Sequence, residues 1–461
     1  MKREELTTLA PDALIEAVIE SKPVTNYEEG LKQYDPAEHD VKKRPDKPTL
    51  VPVKGQLEAD GITPKVETKY VPVTKIAVPI QKFVIAQRAS FAVGNKVTFK
   101  ANIPNSPVFE AAEKAWRSAK MQYLLKEIAI KMMSETEVAL IWYSIKDDKA
   151  ENGFRLRSKV ISPSTGDALY PVFDEYNDMI AFGRGFKIDD TEYFDLYTDD
   201  ELRQFVNSDS GWLLRTDDDG TEVVKDLGYG KIPIIYWRQE KPECEDVKDL
   251  IDARERTHSD FIDNNKYFGQ PPLFFKGTAI NMPAKGDPGM TFSGSEDADA
   301  KFLTGGNITG SRELEFNILD RDIFMFTRTS KIDLESLKGL GDISGRALDR
   351  VLLASHMAAR DMQDGEFGRG VQRCFNFLLA VYKGIMQDDG VEAEPEFSLF
   401  RIDDAMERVE LANAALGLVS PQRQIEIAGF ADDAAGELKL IEAAKALAAS
   451  QRPPTPPVDQ E

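Results

Sequence analysis

Carboxylates dominate the residues that could do chemistry. The chain holds 79 Asp and Glu against 58 Lys and Arg, a formal net charge of −21. Adjacent acids occur at Asp189-Asp190, Asp199-Asp200, Asp388-Asp389 and Asp432-Asp433. Such pairs could seat a divalent cation for phosphodiester cleavage, but in so acidic a chain a solvated surface is the plainer reading. Asp217-Asp218-Asp219-Gly220 opens like a calcium loop but lacks the downstream ligands, so it reads as a hairpin turn. The three histidines, His39, His258 and His356, are far apart and give little material for a metal site or a triad. His258 reads as a surface or helix-packing residue. There is no His-Glu-x-x-His and no phosphate loop of the Gly-x-x-x-x-Gly-Lys-Ser/Thr type. Gly339-Leu340-Gly341-Asp342-Ile343-Ser344-Gly345 has the wrong glycine spacing for a dinucleotide fingerprint, and no clear strand precedes it. The expectation is therefore no catalytic residues, no metal and no cofactor, with structure or assembly favoured over enzyme.

The charge also bears on partners. A protein that grips nucleic acid by neutralising phosphates needs a basic face. An acidic surface serves solubility, and would also suit a wall past which DNA slides without sticking. The cysteines, Cys244 and Cys374, form no framework and fit a reducing compartment. No signal-peptide pattern and no apolar run of about 18 residues is present, so neither secretion nor membrane spanning is expected.

The elements that position these residues centre on Pro242–Met386. A first helical run, Glu243–Phe268, starts at Pro242 and acidic residues and stops at Gly269 and Pro271-Pro272. Its apolar stripe is thin (Val247, Leu250, Ile251, Phe261, Ile262, Phe268) and its waist is polar (Arg254, Glu255, His258). At ~1.5 Å per residue it would be roughly 40 Å long, a strut rather than a core helix. A second run, Arg312–Ile332, and a third, Ser344–Met386, follow. In the third, Gly365, Gly368 and Gly370 are expected to kink or break the helix, at about 1 kcal/mol each. Between the first two struts, Leu273–Gly310 has too few apolar residues for its own core, with strand candidates Leu273–Phe275 and Lys301–Leu303. It reads either as a module completed by a partner chain or as a surface insertion.

The remainder predicts an α+β chain. A helix with an apolar face of Leu14, Ile15, Val18 and Ile19 starts at Pro11. Residues 23–75 read as an extended arm with short strands, or as a flexible linker. Ser106–Val138 reads as mostly helical after a strand at Lys96–Ala101. Phe154–Val160, Met179–Phe186, Tyr193–Tyr197 and Trp212–Arg215 read as strands. A strand at Phe397–Arg401, three helices at about 404–417, 421–428 and 432–449, and a Pro-rich tail complete the chain.

Several stretches, taken in order, resemble the portal proteins of siphophage-type tailed bacteriophages. They are Lys75-Ile76-Ala77-Val78-Pro79-Ile80-Gln81-Lys82 through Ala92-Val93-Gly94-Asn95, and Tyr229-Gly230-Lys231-Ile232-Pro233-Ile234-Ile235. Next come Asp246-Val247-Lys248-Asp249-Leu250-Ile251-Asp252-Ala253 with Ser259-Asp260 and Asp263-Asn264, and then Ser344-Gly345-Arg346-Ala347-Leu348. Gly417-Leu418-Val419-Ser420 with Ile425 and Asp432-Asp433 ends the set. The Pro- and Lys-rich arm and the interruption at Glu366–Gly370 depart from the family pattern.

The resemblance implies a portal fold: long stem helices, a mixed wing, a small clip and a helical crown. Its parts would be an N-terminal helix and arm at 1–74, wing at 75–242 and 344–403, and stem at 243–269 and 311–332. The clip would be 270–310, a channel-facing tunnel loop 333–343, the crown 404–450 and a disordered tail 451–461. It implies a homo-oligomeric ring, typically dodecameric, at one capsid vertex of a virion assembled in the host cytoplasm. Double-stranded DNA would pass through it; terminase, a head-completion or adaptor protein, and major capsid and scaffolding proteins would be partners, with no membrane. Within the tunnel loop (Lys338, Gly339, Leu340, Gly341, Asp342), Lys338 is the best candidate for a fleeting phosphate contact, against a solvated surface lysine. Arg321, Arg328 and Lys331 are candidate channel or inter-subunit contacts, against pairing with carboxylates worth only ~0–1 kcal/mol each if exposed. The alternatives are a capsid or tail scaffold without a channel, or an acidic-cluster, metal-dependent nuclease.

Overall fold

Strands buried on both faces decide the architecture of the larger part of the chain. The computed structural model describes residues 3–60, 64–103, 105–149, 153–216, 222–268, 273–276, 279–281, 293–294, 299–302, 309–331, 350–387, 390–398, 405–429, 431 and 434–450. The chain divides into one unit of Met1–Ser330 with Ala354–Leu399, and another of Lys331–Leu353 with Phe400–Glu461.

The first unit begins with α1 (Glu5–Thr8), α2 (Pro11–Glu20) and α3 (Tyr27–Tyr34), then a hairpin of β1 (Lys47–Leu57) and β2 (Pro64–Val71). Next are α4 (Ile80–Val93), β3 (Thr98–Ala101), α5 (Pro107–Ser118) and α6 (Met121–Glu135). The β-rich middle contains β4 (Glu137–Lys146), β5 (Phe154–Ile161), β6 (Ala168–Phe173), β7 (Met179–Ile188), β8 (Thr191–Tyr197), β9 (Glu201–Ser208), β10 (Gly211–Leu214), β11 (Val224–Asp226) and β12 (Ile234–Arg238). The struts are α7 (Lys248–Phe268) and α8 (Thr309–Phe326), separated by β13 (Leu273–Lys276), β14 (Ala279–Asn281), β15 (Ser293–Gly294) and β16 (Asp299–Phe302). α9 (Leu353–Asp364), α10 (Glu366–Met386) and β17 (Ala393–Glu396) follow. The second unit holds α11 (Ala405–Ala414), α12 (Pro421–Ala428) and α13 (Ala434–Ser450). The fold class is α+β.

Four layers stack in the first unit. The sheet β10-β9-β8-β7-β6, with β11 also on β9, is antiparallel, and β12-β4-β5 forms a second sheet. Leu14, Ile15 and Val18 of α2 pack on one face of the larger sheet, against Val172, Phe194, Leu196 and Phe205. Leu169, Phe182, Tyr197 and Leu202 point the other way, onto Ala139, Ile141, Ile234 and Tyr236 of the smaller sheet. The period of two then turns Val138, Leu140 and Trp142 toward the helices, and all three are buried. There Trp142 stacks on Phe377 of α10, with ring centroids 6.2 Å apart, and Trp237 Nε1 donates to the Phe367 carbonyl at 3.1 Å.

The structure corrects several expectations. Of the three glycines expected to kink or break the helical run, Gly365 alone does so: α9 ends at Asp364 and α10 starts at Glu366. Gly368 and Gly370 sit inside α10 because their neighbours leave no room for a Cβ, which would strike the Gln363 carbonyl at one and the Trp237 indole at the other. Of the strand expected at Phe397–Arg401, Phe397 and Ser398 are not in a strand and residues 399–401 lie outside the described residues; a strand lies just before, at Ala393–Glu396, where pairing with β3 sets Pro395 opposite Phe99. Asn102 fixes that register, donating its N–H to the Glu392 carbonyl and accepting the Glu392 N–H on its side chain. The arm is more ordered than its composition suggests, with α3 and a hairpin inside residues 23–75. The strands expected around Leu273 and Lys301 exist and pair with each other within the chain, as β13 and β16. The Asp217–Gly220 turn, residues 344–349 and the tail beyond Ser450 lie outside the described residues.

Gly370→Ala should destabilise the protein by about 2 kcal/mol through overpacking against Trp237. Chemical denaturation monitored by tryptophan fluorescence checks this; a change within about 0.5 kcal/mol of zero would show that α10 can back away from β12.

Candidate functional site

The two struts and the segments bound to them form the region that the sequence marks for function. α7 and α8 pack side by side, through Phe261 and His258 edge-on to Phe316 at 6.3 and 6.0 Å. Arg254 pairs with Asp320, and Thr257 donates to Glu315 at 3.0 Å. At their base, Val247, Ile251 and Ile323 close a small core with Ile80, Val84 and Cys244. Burial pushes the Cys244 thiol up to about 12, so it stays protonated and acts as an apolar filler.

The opposite face of α7 holds the arm. Main-chain N–H groups of Thr74, Ile76 and Val78 donate to Asp263 Oδ2 at 3.0 Å, Ser259 Oγ at 3.0 Å and Glu255 Oε1 at 2.7 Å. The match is geometric. Alternate residues of an extended chain lie about 6.6 Å apart, and residues four apart on a helix about 6.0 Å. Three backbone donors thus meet three side-chain acceptors in step. Arg44 adds an ion pair to Asp260 at 2.8 Å, and Lys266 reaches Thr74 Oγ1 at 2.7 Å.

Glu255 is fully buried. His39 Nδ1 lies 2.7 Å from Glu255 Oε1, and His39 Nε2 2.9 Å from the Gln33 carbonyl oxygen. Both partners are acceptors, so the imidazole satisfies them fully only when both nitrogens carry protons. Burial pulls the His39 pKa down, but the Glu255 carboxylate and the Gln33 carbonyl outweigh it, and the net shift is upward. Desolvation, with Asp40 close by, raises Asp252 on the same helix.

The candidate contacts fall in three different settings. Arg321 is exposed, its guanidinium 2.9 Å from its neighbour Asp322. Arg328 pairs with Asp361 of α9. Its φ of +50° places it in the left-handed region. There Arg328 N–H bonds the Met325 carbonyl at 3.1 Å and Thr329 N–H the Phe324 carbonyl at 2.9 Å, a Schellman end to α8. The second strut therefore stops at Phe326 rather than at Ile332. Lys331 is exposed at the start of the second unit. Lys338, Gly339, Leu340, Gly341 and Asp342 lie outside the described residues.

The chain leaving α8 is tied down from two sides. Arg88 of α4 donates to the Thr327 carbonyl at 2.5 Å and pairs with Glu243; Gln87 donates to the Ser330 carbonyl at 2.9 Å. Ser330 N–H bonds Ser355 Oγ of α9 at 2.9 Å. A cleft of about 490 Å³ opens beside this elbow. Its Arg88, Arg238 and Arg328 face Glu243, Asp246, Asp361 and Glu366, so it holds no excess positive charge for an anion. Among the described residues no group of three His, Cys, Asp or Glu side chains could hold a metal ion, and no helix is long and apolar enough to cross a membrane.

The sequence reading missed His39, Glu255, Ser259 and Asp263 as a set. The four-residue spacing of the last three was the available signal.

The His39 shift sets a pH dependence. Because folding raises this pKa, its stabilisation is full below the ordinary value near 6.5 and fades as pH climbs past the raised folded value. His39→Ala should cost about 3 kcal/mol at pH 6, and the gap to wild type should narrow by pH 9. Urea denaturation at the two pH values reads it; a constant gap would assign His39 to packing alone.

The profile of the family described as "Phage portal protein, SPP1 Gp6-like" matches residues 19–451. No curated protein matches the chain. Among solved structures, a chain in "Virion of native gene transfer agent (GTA) particle" and one in "Neck of empty GTA particle computed with C6 symmetry" are each similar at 12% identity and a TM-score of 0.38. Each likeness covers 76% of this chain and 89% of the other. Likeness at that level carries no argument, whereas the family profile spans nearly all of the sequence and takes in the whole strut region. The chain belongs to the phage portal protein family.

Proposed function

We propose that the protein assembles as a closed ring at one vertex of a phage-like capsid and serves as the conduit for double-stranded DNA. The observation that carries this reading is the family match over residues 19–451. The strut pair fits it. α7 is occupied on two opposite faces by segments of its own chain, as a wall element requires, and the chain is strongly acidic, with a net charge of −21. A like-charged surface repels the DNA backbone and lets the duplex move without being held.

In this reading α7 and α8 are the stem and residues 270–310 the clip, where terminase docks and head-completion proteins follow. Residues 333–343 are the tunnel loop, 404–450 the crown, and the rest of the body the wing. Arg328 is assigned to a structural pairing with Asp361 rather than to DNA. Lys338 remains the candidate for transient phosphate contact.

Native mass measurement with negative-stain microscopy tests the ring: a closed assembly of about a dozen chains with a central opening is expected, and a stable monomer at high concentration overturns it. Deleting Lys338–Gly341 should leave that ring intact and impair DNA packaging. Loss of assembly on deletion would assign the loop to structure instead.

A further inference from the structure

Two apolar surfaces of the first unit have no cover within the described residues, and they differ in kind. The first is one face of the β1–β2 hairpin. Its register sets Leu50 opposite Thr68 and Pro48 opposite Tyr70, so Leu50, Val66 and Tyr70 share a face. They are 67%, 47% and 66% exposed. A two-stranded ribbon is marginal by itself in water and needs something against a face. Its other face carries Lys47, which reaches Asp260 of α7 at 3.5 Å, so the apolar face looks away from α7.

The second surface is on α8. Leu314, Ile318 and Met325 fall within one helical stripe and are 60%, 39% and 56% exposed. Phe316, Asp320 and Ile323, which meet α7 and the core at its base, lie on the opposite side of α8.

The two surfaces cannot meet inside one chain, because α7 stands between them. The hairpin follows the arm along the Glu255–Ser259–Asp263 side of α7, while α8 occupies the Arg254–Thr257–Phe261 side. We infer that the hairpin of one subunit packs on the α8 stripe of the next, a head-to-tail contact between unlike surfaces. This rests on the ring proposed above. Charge points to the same occupant. The strands of the hairpin carry Lys47, Lys65 and Lys69 against Glu67, whereas α8 carries Glu313, Glu315, Asp320 and Asp322 against Arg312 and Arg321. In a chain of net charge −21 the hairpin is a basic exception. A ribbon is only about 10 Å thick, so lysines on either face act within about one Debye length of a docked helix. Arg321, which lies in the stripe between Ile318 and Met325, becomes an inter-subunit residue.

The test mixes two singly substituted chains, Tyr70→Cys and Leu314→Cys, and oxidises the assembly; both sites are exposed and the native cysteines are buried. Only a contact between chains can join the two. The mass of each unoxidised assembly is measured in parallel. A ring whose mixed chains cross-link at least tenfold more than either variant alone supports the inference. A ring of normal mass without that bond, or with Tyr70→Cys chains joining each other, overturns it and leaves the ring standing. A monomer overturns both. As a second measurement, Leu50→Glu with Tyr70→Glu should raise the concentration needed for ring assembly at least tenfold without changing the far-ultraviolet circular dichroism of the subunit; unchanged assembly overturns the inference.

Discussion

A carboxylate sealed from water must be given partners, and Glu255 imposes that demand on the N-terminal part of the chain. Leaving such a charge unpaired costs several kcal/mol. Two groups from outside its own helix approach it, the His39 imidazole and the Val78 N–H. They come from residues on either side of the hairpin in sequence and both meet Oε1, so binding one carboxylate oxygen fixes both ends of the segment that carries it. The Ile76 and Thr74 bonds then follow at the repeat that an extended chain and a helix nearly share. α7 is thus a template along which the arm is laid. The hairpin's position follows chiefly from the arm being held on both sides of it, with Lys47 adding one contact of its own to Asp260.

The other end of the strut pair is held by a different logic. α8 terminates by a left-handed Arg328 instead of a glycine, a conformation that costs more for a residue with a Cβ. The surroundings over-determine it: the Schellman bonds, the Asp361 pair, and the α4 side chains reaching the Thr327 and Ser330 carbonyls.

Periodicity made most of the fold legible. The strands from Phe154 to Leu214 and the helices around Pro11, Pro107 and Pro421 carry either strict alternation or a start signal such as Pro at the first turn. What failed was decided by tertiary contact. Gly368 and Gly370 look like helix breakers in sequence and are packing residues in space: the Gln363 carbonyl leaves no room for a Cβ at the first, and Trp237, more than 130 positions away, leaves none at the second. The Ala393–Glu396 strand has no alternation to read; its register comes from β3 and Asn102. Residues 23–75 read equally as an extended arm with short strands or as a linker, because their order comes from polar partners on α7, and a Pro- and Lys-rich composition says nothing about those. Of the candidate site, the struts were legible. The role of Glu255 was not, since a glutamate in a helix waist is ordinarily a solvated one.

The apolar residues on two sides of the second strut then gain a physical meaning. A helix with one covered face shows a single apolar stripe. α8 has apolar residues on two opposed sides, one set against α7 and the other bare, and their vectors nearly cancel. Such a helix is suited to lie between two partners, of which this chain supplies one. Each copy also carries a large negative charge, so contacts between copies must overcome repulsion that grows as more of them gather. Apolar burial is indifferent to that charge, and a basic ribbon set against an acidic helix offsets it locally. In the proposed ring, the bare stripe of α8, the lysine-rich hairpin and the net negative charge would serve one requirement, attachment to sister copies without attraction to the polyanion that they would surround.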